Sequence, residues 1–271
     1  MSQEITVALV QMAPELNEPS DNVRKMGDMI ERICTQEQVD IIVFPELITT
    51  GYECGLRFTD FAEQVPGPTA NLLAKDAADF NVYLVFGMVT KARVETVLYD
   101  SVVVIGPDGD LVGTYNKVHL RGEERIVFRS GYKFPVFETN FGPMGVLAGW
   151  DQSFPEAARS LVLDGAELIV VSAAWDAELE TMWPVLNRAR AIENSVFVAA
   201  ANRVGEEPSY KFAGGSLVVG PYGNIHTYME EAIEGYALAK VDLSAVREAR
   251  EKLQLIQHRE PAAYRAVVRK Y

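Results

Sequence analysis

The stretch Gly145 to Arg159, GVLAGWDQSFPEAAR, carries the chain out of a buried strand and into a helix. The run Met144 to Ala148 is short, apolar and unbroken, as a strand covered on both faces requires. It ends in Gly149, followed by Trp150 and Asp151, and Phe154-Pro155-Glu156 then opens a helix with proline in its first turn. A strand-to-helix elbow of this kind presents a nucleophile at its tip, and the backbone N–H groups that follow are placed to hold an oxyanion. The tip here is glycine. By itself, a glycine after a strand only permits a tight turn or a positive φ.

Elements on either side of the elbow alternate in type. Ile5 to Gln11 reads as a buried strand, and Asn17 to Glu37 as a helix with Val23, Met26, Met29, Ile30 and Ile33 at helical spacing. Ile41 to Phe44 is a second buried strand, which Pro45 closes just before Glu46. A helix over Thr69 to Ala78 and strands over Tyr83 to Met88 and Asp100 to Ile105 lead to the turn Gly106-Pro107-Asp108-Gly109-Asp110. Leu111 to Tyr115 returns across that turn as a hairpin and runs into Asn116-Lys117, so the sheet is mixed. An irregular, charged segment, Val118 to Tyr132, precedes Val136-Phe137 and the elbow strand. Beyond the elbow helix, which runs to about Asp164, come a strand Leu168 to Ser172, a helix Trp183 to Asn194 and a strand Val196 to Ala201. Gly214 to Val219 begins a last hairpin finishing near Val241, then a helix covers Leu243 to Leu253 and a tail runs from Tyr264 to Tyr271. No linker or repeat interrupts the pattern. It predicts one domain over residues 1–271, an α/β fold in which helices cover the outer faces of two packed mixed sheets, a four-layer α-β-β-α sandwich.

Composition narrows the partners. A formal charge of −13 and a pI near 4.8 provide no basic footprint for nucleic acid or an anionic membrane surface. No apolar run approaches the roughly 18 to 20 residues of a membrane span. The N-terminus enters a strand pattern at once, leaving no room for a signal peptide, and the two cysteines, Cys34 and Cys54, lack metal-type spacing, so a reducing, cytoplasmic setting is expected. His119, His226 and His258 lie far apart in sequence, and neither metal nor organic cofactor is expected.

Three fragments fall at strand ends: Phe44-Pro45-Glu46 with Thr50-Gly51-Tyr52; Tyr115-Asn116-Lys117-Val118-His119-Leu120; and Gly149-Trp150-Asp151-Gln152 with Phe154-Pro155-Glu156 and Arg159. In this order they resemble the nitrilase superfamily of carbon–nitrogen hydrolases, in which a Glu, a Lys and a Cys occupy three strand ends. The resemblance spans nearly the whole chain, through Gly165-Ala166-Glu167, Arg190-Ala191-Ile192-Glu193-Asn194, Ala201-Asn202-Arg203-Val204-Gly205, Gly214-Gly215-Ser216 and Gly220-Pro221-Tyr222-Gly223. It implies that Glu46 is a general base, that Lys117 supports a tetrahedral intermediate, and that Glu124, with Glu123 as its neighbour in register, positions substrate. The Trp150 N–H would face the oxyanion, with Tyr52 and Trp175 in the pocket wall. It also implies a cysteine at position 149, where this chain has glycine. Such chemistry uses a carboxylate to deprotonate a thiol, whose thiolate attacks an amide or nitrile carbon while an ammonium and a backbone N–H offset the developing charge. Without a thiol, no acyl- or imidate-enzyme can form at residue 149.

Singly, Glu46 and Lys117 read as a structural ion pair. A buried pair is costly to desolvate and seldom improves on apolar residues, so two such residues at strand ends point to a site. His119 reads as structural, Asp151, Glu156 and Arg159 as a helix N-terminal charge set with an ion pair, and Trp150, Trp175 and Trp183 as core or pocket wall. Three readings of function follow. The chain is an amidase-type scaffold for a small linear amide or N-carbamoyl compound, its nucleophile replaced by engineering or natural loss and its activity much reduced. Or it is a silent binding or regulatory protein using the same pocket. Or it is an enzyme of altered chemistry in which Glu46 acts without a covalent intermediate. Thr49-Thr50-Gly51-Tyr52 resembles aliphatic amidases and Trp150-Asp151-Gln152 carbamoyl-amine members. The resemblance further implies a homodimer or higher oligomer packed through the helix after the elbow, with Ala157, Ala158, Leu161 and Leu163 at the contact.

Overall fold

A computed structural model describes residues 4–93 and 97–269. In chain order the elements are β1 (Glu4–Gln11), α1 (Pro19–Gln36), β2 (Ile41–Val43), α2 (Phe58–Phe61), α3 (Pro68–Phe80), β3 (Tyr83–Lys91), β4 (Leu98–Ile105), β5 (Leu111–Asn116) and α4 (Glu124–Val127). There follow β6 (Val136–Thr139), β7 (Gly142–Ala148), α5 (Pro155–Leu163), β8 (Leu168–Ala173), α6 (Met182–Asn194) and β9 (Phe197–Asn202). The last are β10 (Val204–Glu206), β11 (Lys211–Ala213), β12 (Leu217–Val219), β13 (Ile225–Tyr228), β14 (Gly235–Asp242) and α7 (Ser244–Leu253). A 3-10 turn over Gly149–Ser153 separates β7 from α5.

One sheet has the strand order β14-β1-β2-β3-β4-β5, the other β13-β12-β9-β8-β7-β6. Both are mixed, with β1, β2 and β3 parallel in the first and β7, β8 and β9 parallel in the second. Three apolar layers hold them. Val7, Leu9, Val43, Val85 and Val104 meet Val146, Val170 and Ala199 between the sheets. Met26, Ile30, Ile33 and Leu73 seal the first sheet under α1 and α3, and Ala157, Ala158, Leu161 and Ala191 seal the second under α5 and α6. The four-layer sandwich is therefore the fold, and the unbroken apolar runs are strands buried on both faces. Among the described residues no helix is long and apolar enough to cross a membrane.

Three readings are corrected. The segment after Gly214 is not one hairpin: β12 pairs with β13 inside the second sheet, whereas β14 crosses over and pairs antiparallel with β1 along its whole length, Glu4 opposite Asp242 and Gln11 opposite Gly235. Turn signals are local and cannot report that exchange. Asp151 does lie in the first turn of the 3-10 segment but is wholly buried, and Arg159 donates to the Glu193 carbonyl at 2.6 Å, outside the helix-start charge set. Finally, Ala157, Ala158 and Leu161 of α5 face the core of their own subunit, and only Leu163 of the residues named for the dimer contact points outward. Of the tail Tyr264 to Tyr271, the last two residues lie outside the described residues.

Candidate active site

The sandwich brings the ends of β2, β5, β7 and β8 to one edge. Past β2, the Phe44 N–H donates to the Val85 carbonyl, and Pro45 and Glu46 lie against β3. A Cβ on Gly87 would sit 2.5 Å from the Glu46 Cα, so only glycine admits this approach. The two sheets are tied here, because Ser172 Oγ donates to the Phe44 carbonyl at 2.9 Å and the Ala174 N–H, just past β8, donates to Glu46 Oε2 at 2.9 Å.

Lys117, the residue after β5, points its ammonium into this corner. It donates to Glu46 Oε1 at 2.5 Å and Glu124 Oε1 at 2.7 Å, and lies 3.5 Å from Asp100 Oδ2, with all four side chains buried. Of the two adjacent glutamates, Glu124 is buried and Glu123 exposed. Glu124 Oε1 also accepts from the Tyr52 hydroxyl at 2.5 Å and its Oε2 from the Arg121 N–H at 2.9 Å. Glu46, Lys117, Glu124 and Tyr52 thus form one connected cluster.

Asp100 was not predicted. It sits near the start of β4, where the pairing of Ser101 with Asn116 brings it beside Lys117, whose N–H donates to the Asp100 carbonyl at 2.9 Å. Neither carboxylate oxygen of Asp100 has a hydrogen-bond donor. Burial, reinforced by the Glu46 carboxylate, pushes its pKa well above the usual range. Burial opposes the Lys117 charge, but Glu124, Glu46 and Asp100 together outweigh it and hold the ammonium well above its ordinary pKa. Burial and then Glu124 likewise keep the Tyr52 phenol protonated. Oxygens of Glu46, Asp100 and Glu124 lie within 4.8 Å of one another, spacing that a metal ion accepts, but here they close around the Lys117 ammonium.

Gly149 begins the elbow with φ +30°, and a Cβ there would lie 2.2 Å from Glu46 Oε2. The Glu46 carboxylate therefore occupies the space of a side chain at the elbow tip. The elbow is held from below by Asp151, which accepts from the Tyr115 hydroxyl at 2.5 Å, the Ala148 N–H at 3.3 Å and the His119 N–H at 2.9 Å. The His119 Nδ1 lies 2.8 Å from the same carboxylate, and its ring stacks on Phe154 with centroids 3.6 Å apart. Trp150 and Trp175 stack with centroids 5.4 Å apart and, with Arg121 and Asp176, wall a cavity of about 20 Å³ above Glu46 and Lys117.

The two-sheet sandwich thus assembles Glu46, Lys117 and Glu124 at strand ends beside an elbow. Residues 6–251 match the carbon-nitrogen hydrolase family, and the chain belongs to that family. It is 37% identical to a probable nitrilase of Schizosaccharomyces pombe over 97% of this chain and 98% of that protein. It is 31% identical to a 2-oxoglutaramate amidase of Bacillus subtilis, over 92% of this chain and 95% of that one. The crystal structure of a carbon-nitrogen hydrolase from Helicobacter pylori superposes with a TM-score of 0.93 at 26% identity, covering 99% of both chains.

Proposed function

We propose that this chain is a carbon–nitrogen hydrolase scaffold that binds a small linear amide or N-carbamoyl compound and lacks the covalent step. The observation that carries this is Gly149 at the elbow tip, with the Glu46 carboxylate in the space of the missing side chain. Nitrilase-like and amidase relatives along nearly the whole chain support the substrate class.

Each retained group has a task toward a bound amide. Lys117 donates toward the carbonyl oxygen, and the Trp150 N–H, first after the elbow tip, faces the same atom. Glu124, fixed by Tyr52 and the Arg121 N–H, holds the ammonium in line. Glu46 accepts from the amide nitrogen. What is absent is an atom to attack the carbon: removing the nucleophile of a catalytic unit leaves roughly 10³ to 10⁴-fold over water from binding and oxyanion donors in the protease precedent. Binding outlasts turnover. The altered-chemistry reading, with Glu46 directing a water, has the one-water size of the 20 Å³ cavity in its favour.

The test is to titrate the protein with butyramide by calorimetry and to follow its intact mass during incubation with the same amide. Saturable binding without an acyl adduct is expected. An adduct, or no binding up to high millimolar amide, overturns the proposal.

A further inference from the structure

A second cavity, of about 330 Å³, shares no lining residue with the one above Glu46. Its place follows from strand alternation. Val103 and Ile105 of β4 belong to the layer under α1 and α3, so Tyr99 and Ser101 share that outer face of the first sheet. Ser101 lies opposite Asn116 and Val103 opposite Thr114, which brings Asn116 and Thr114 of the edge strand β5 to the same face. Gly131 lays the next segment against the end of β5. Its N–H donates to the Lys117 carbonyl at 2.8 Å, and a Cβ there would sit 2.1 Å from the Asn116 carbonyl oxygen, an approach that only glycine admits. Tyr132 and Lys133 thereby reach the cavity, which Lys91, the last residue of β3, also lines.

The lining is rich in donors. Among the described residues Lys25, Lys117 and Lys211 form ion pairs, whereas Lys91 and Lys133 form none. Glu63, whose carbonyl accepts from the Lys91 N–H at 2.8 Å, commits its carboxylate to the Thr69 hydroxyl at 2.7 Å and N–H at 2.9 Å. Among the described residues no carboxylate lines the cavity, in a chain with 38 acidic against 25 basic residues. Ser101 Oγ donates to Asn116 Oδ1 at 2.9 Å and lies 2.7 Å from Thr90 Oγ1. The Asn116 oxygen is thus engaged, and its amide nitrogen is left to donate. Tyr99 and Thr114 add hydroxyls, and the exposed Tyr132 ring stands at the solvent side.

We propose that this cavity binds a phosphate monoester of a small polar alcohol. Two ammoniums without a protein carboxylate call for a ligand that brings about two negative charges, and a phosphate monoester carries roughly −1.5 to −2 at pH 7 on three acceptor oxygens. Lysine suits it as a point charge that needs no planar, forked partner. The volume of about 330 Å³ lies at the lower end of the roughly 300–1,000 Å³ of small-ligand sites, so there is room for a body beyond the phosphate. That body meets the Tyr99 and Thr114 hydroxyls and the Asn116 amide, which suit the hydroxyl groups of an alcohol better than an apolar tail. A neutral sugar leaves both ammoniums unmatched, and a dicarboxylate spreads its two charges where a phosphate gathers them at one point.

The test is calorimetry at low salt with ribose 5-phosphate, inorganic phosphate, ribose and succinate. Ribose 5-phosphate is expected to saturate, to bind more tightly than inorganic phosphate or succinate, and ribose not to bind. Lys91→Gln and Lys133→Gln should each weaken it by about tenfold or more, the loss of one charge-assisted hydrogen bond, while Lys91→Arg and Lys133→Arg retain it. Amide-resolved NMR of the unsubstituted protein locates the site whether or not each variant folds: ribose 5-phosphate should shift residues 90–91, 114–116 and 132–133. The proposal is overturned by no saturation below about 10 mM, by shifts centred elsewhere, by succinate or ribose binding as tightly, or by folded glutamine variants that bind like the parent.

Discussion

Gly149→Ala is expected to cost stability for two separable reasons. The residue has φ +30°, a left-handed backbone that costs an L residue roughly 1–2 kcal/mol. Its Cβ would also lie 2.2 Å from Glu46 Oε2, which must give way although it is buried and accepts from the Ala174 N–H. Losing that charge-assisted hydrogen bond costs about 1.5–3 kcal/mol. Together the penalty is about 2.5–5 kcal/mol, and for a chain of this size a fall in Tm of roughly 5–15 °C. Urea unfolding of Gly149→Ala, Glu46→Ala and the double variant separates the two causes. With Glu46 truncated, the alanine should cost only the backbone part, about 1–2 kcal/mol. A Gly149→Ala protein within about 0.5 kcal/mol of the parent, or an equal cost in both backgrounds, refutes the placement of Glu46 against the elbow tip.

Three further outcomes follow from named contacts. Because burial raises the folded pKa of Asp100 above its unfolded value near 4, its contribution to stability is whole below about pH 4 and is lost as pH rises toward the folded pKa. Asp100→Asn should therefore gain on the parent as pH rises above about 4 in urea titrations, and a pH-independent difference would show that the folded state does not raise the Asp100 pKa. Asp151→Ala strands the Tyr115 hydroxyl and the Ala148 and His119 N–H groups, and should cost about 3–5 kcal/mol and loosen the elbow, seen as faster hydrogen exchange at 148–153; a loss under 1 kcal/mol would contradict its tethering role. We propose a homodimer through the outer face of α5 and α6, where Leu163, Ile192 and the tail residue Val268 are exposed around a groove of about 720 Å³; sedimentation should give a dimer at micromolar concentration that Leu163→Glu dissociates, and a monomeric parent would refute it.

Much of the site was legible because strand ends announce themselves. Pro45 stops β2 just before Glu46, the turn at 106–110 sets β5 to end just before Lys117, and the apolar run of β7 stops just before Gly149. What stayed hidden depends on pairing across distance. Asp100 looks like any first residue of a strand until β4 is registered against β5. Asp151 reads as a helix-start carboxylate until Tyr115 and His119 are seen to converge on it from another sheet. The paired glutamates 123 and 124 could be told apart only by which one faces Lys117. The small β10–β11 hairpin and the crossing of β14 to the first sheet carry no local signal that distinguishes them from a single long hairpin. On α5, the same apolar spacing that marks a helix face says nothing of whether that face meets its own sheet or a second subunit.

The central claim is that the pocket is intact and the nucleophile is missing. Its most direct measurement is ammonia release by the parent and by Gly149→Cys across short aliphatic amides, ω-amides and N-carbamoyl amines, with Glu46→Gln in the cysteine background as control. The account predicts almost no release by the parent, a gain of at least about 10³-fold in the cysteine form once Glu46 yields to the new side chain, and loss of that gain in the control. Ammonia release by the Gly149 protein at enzyme-like rates, or a folded cysteine form inert across the whole panel, would contradict it.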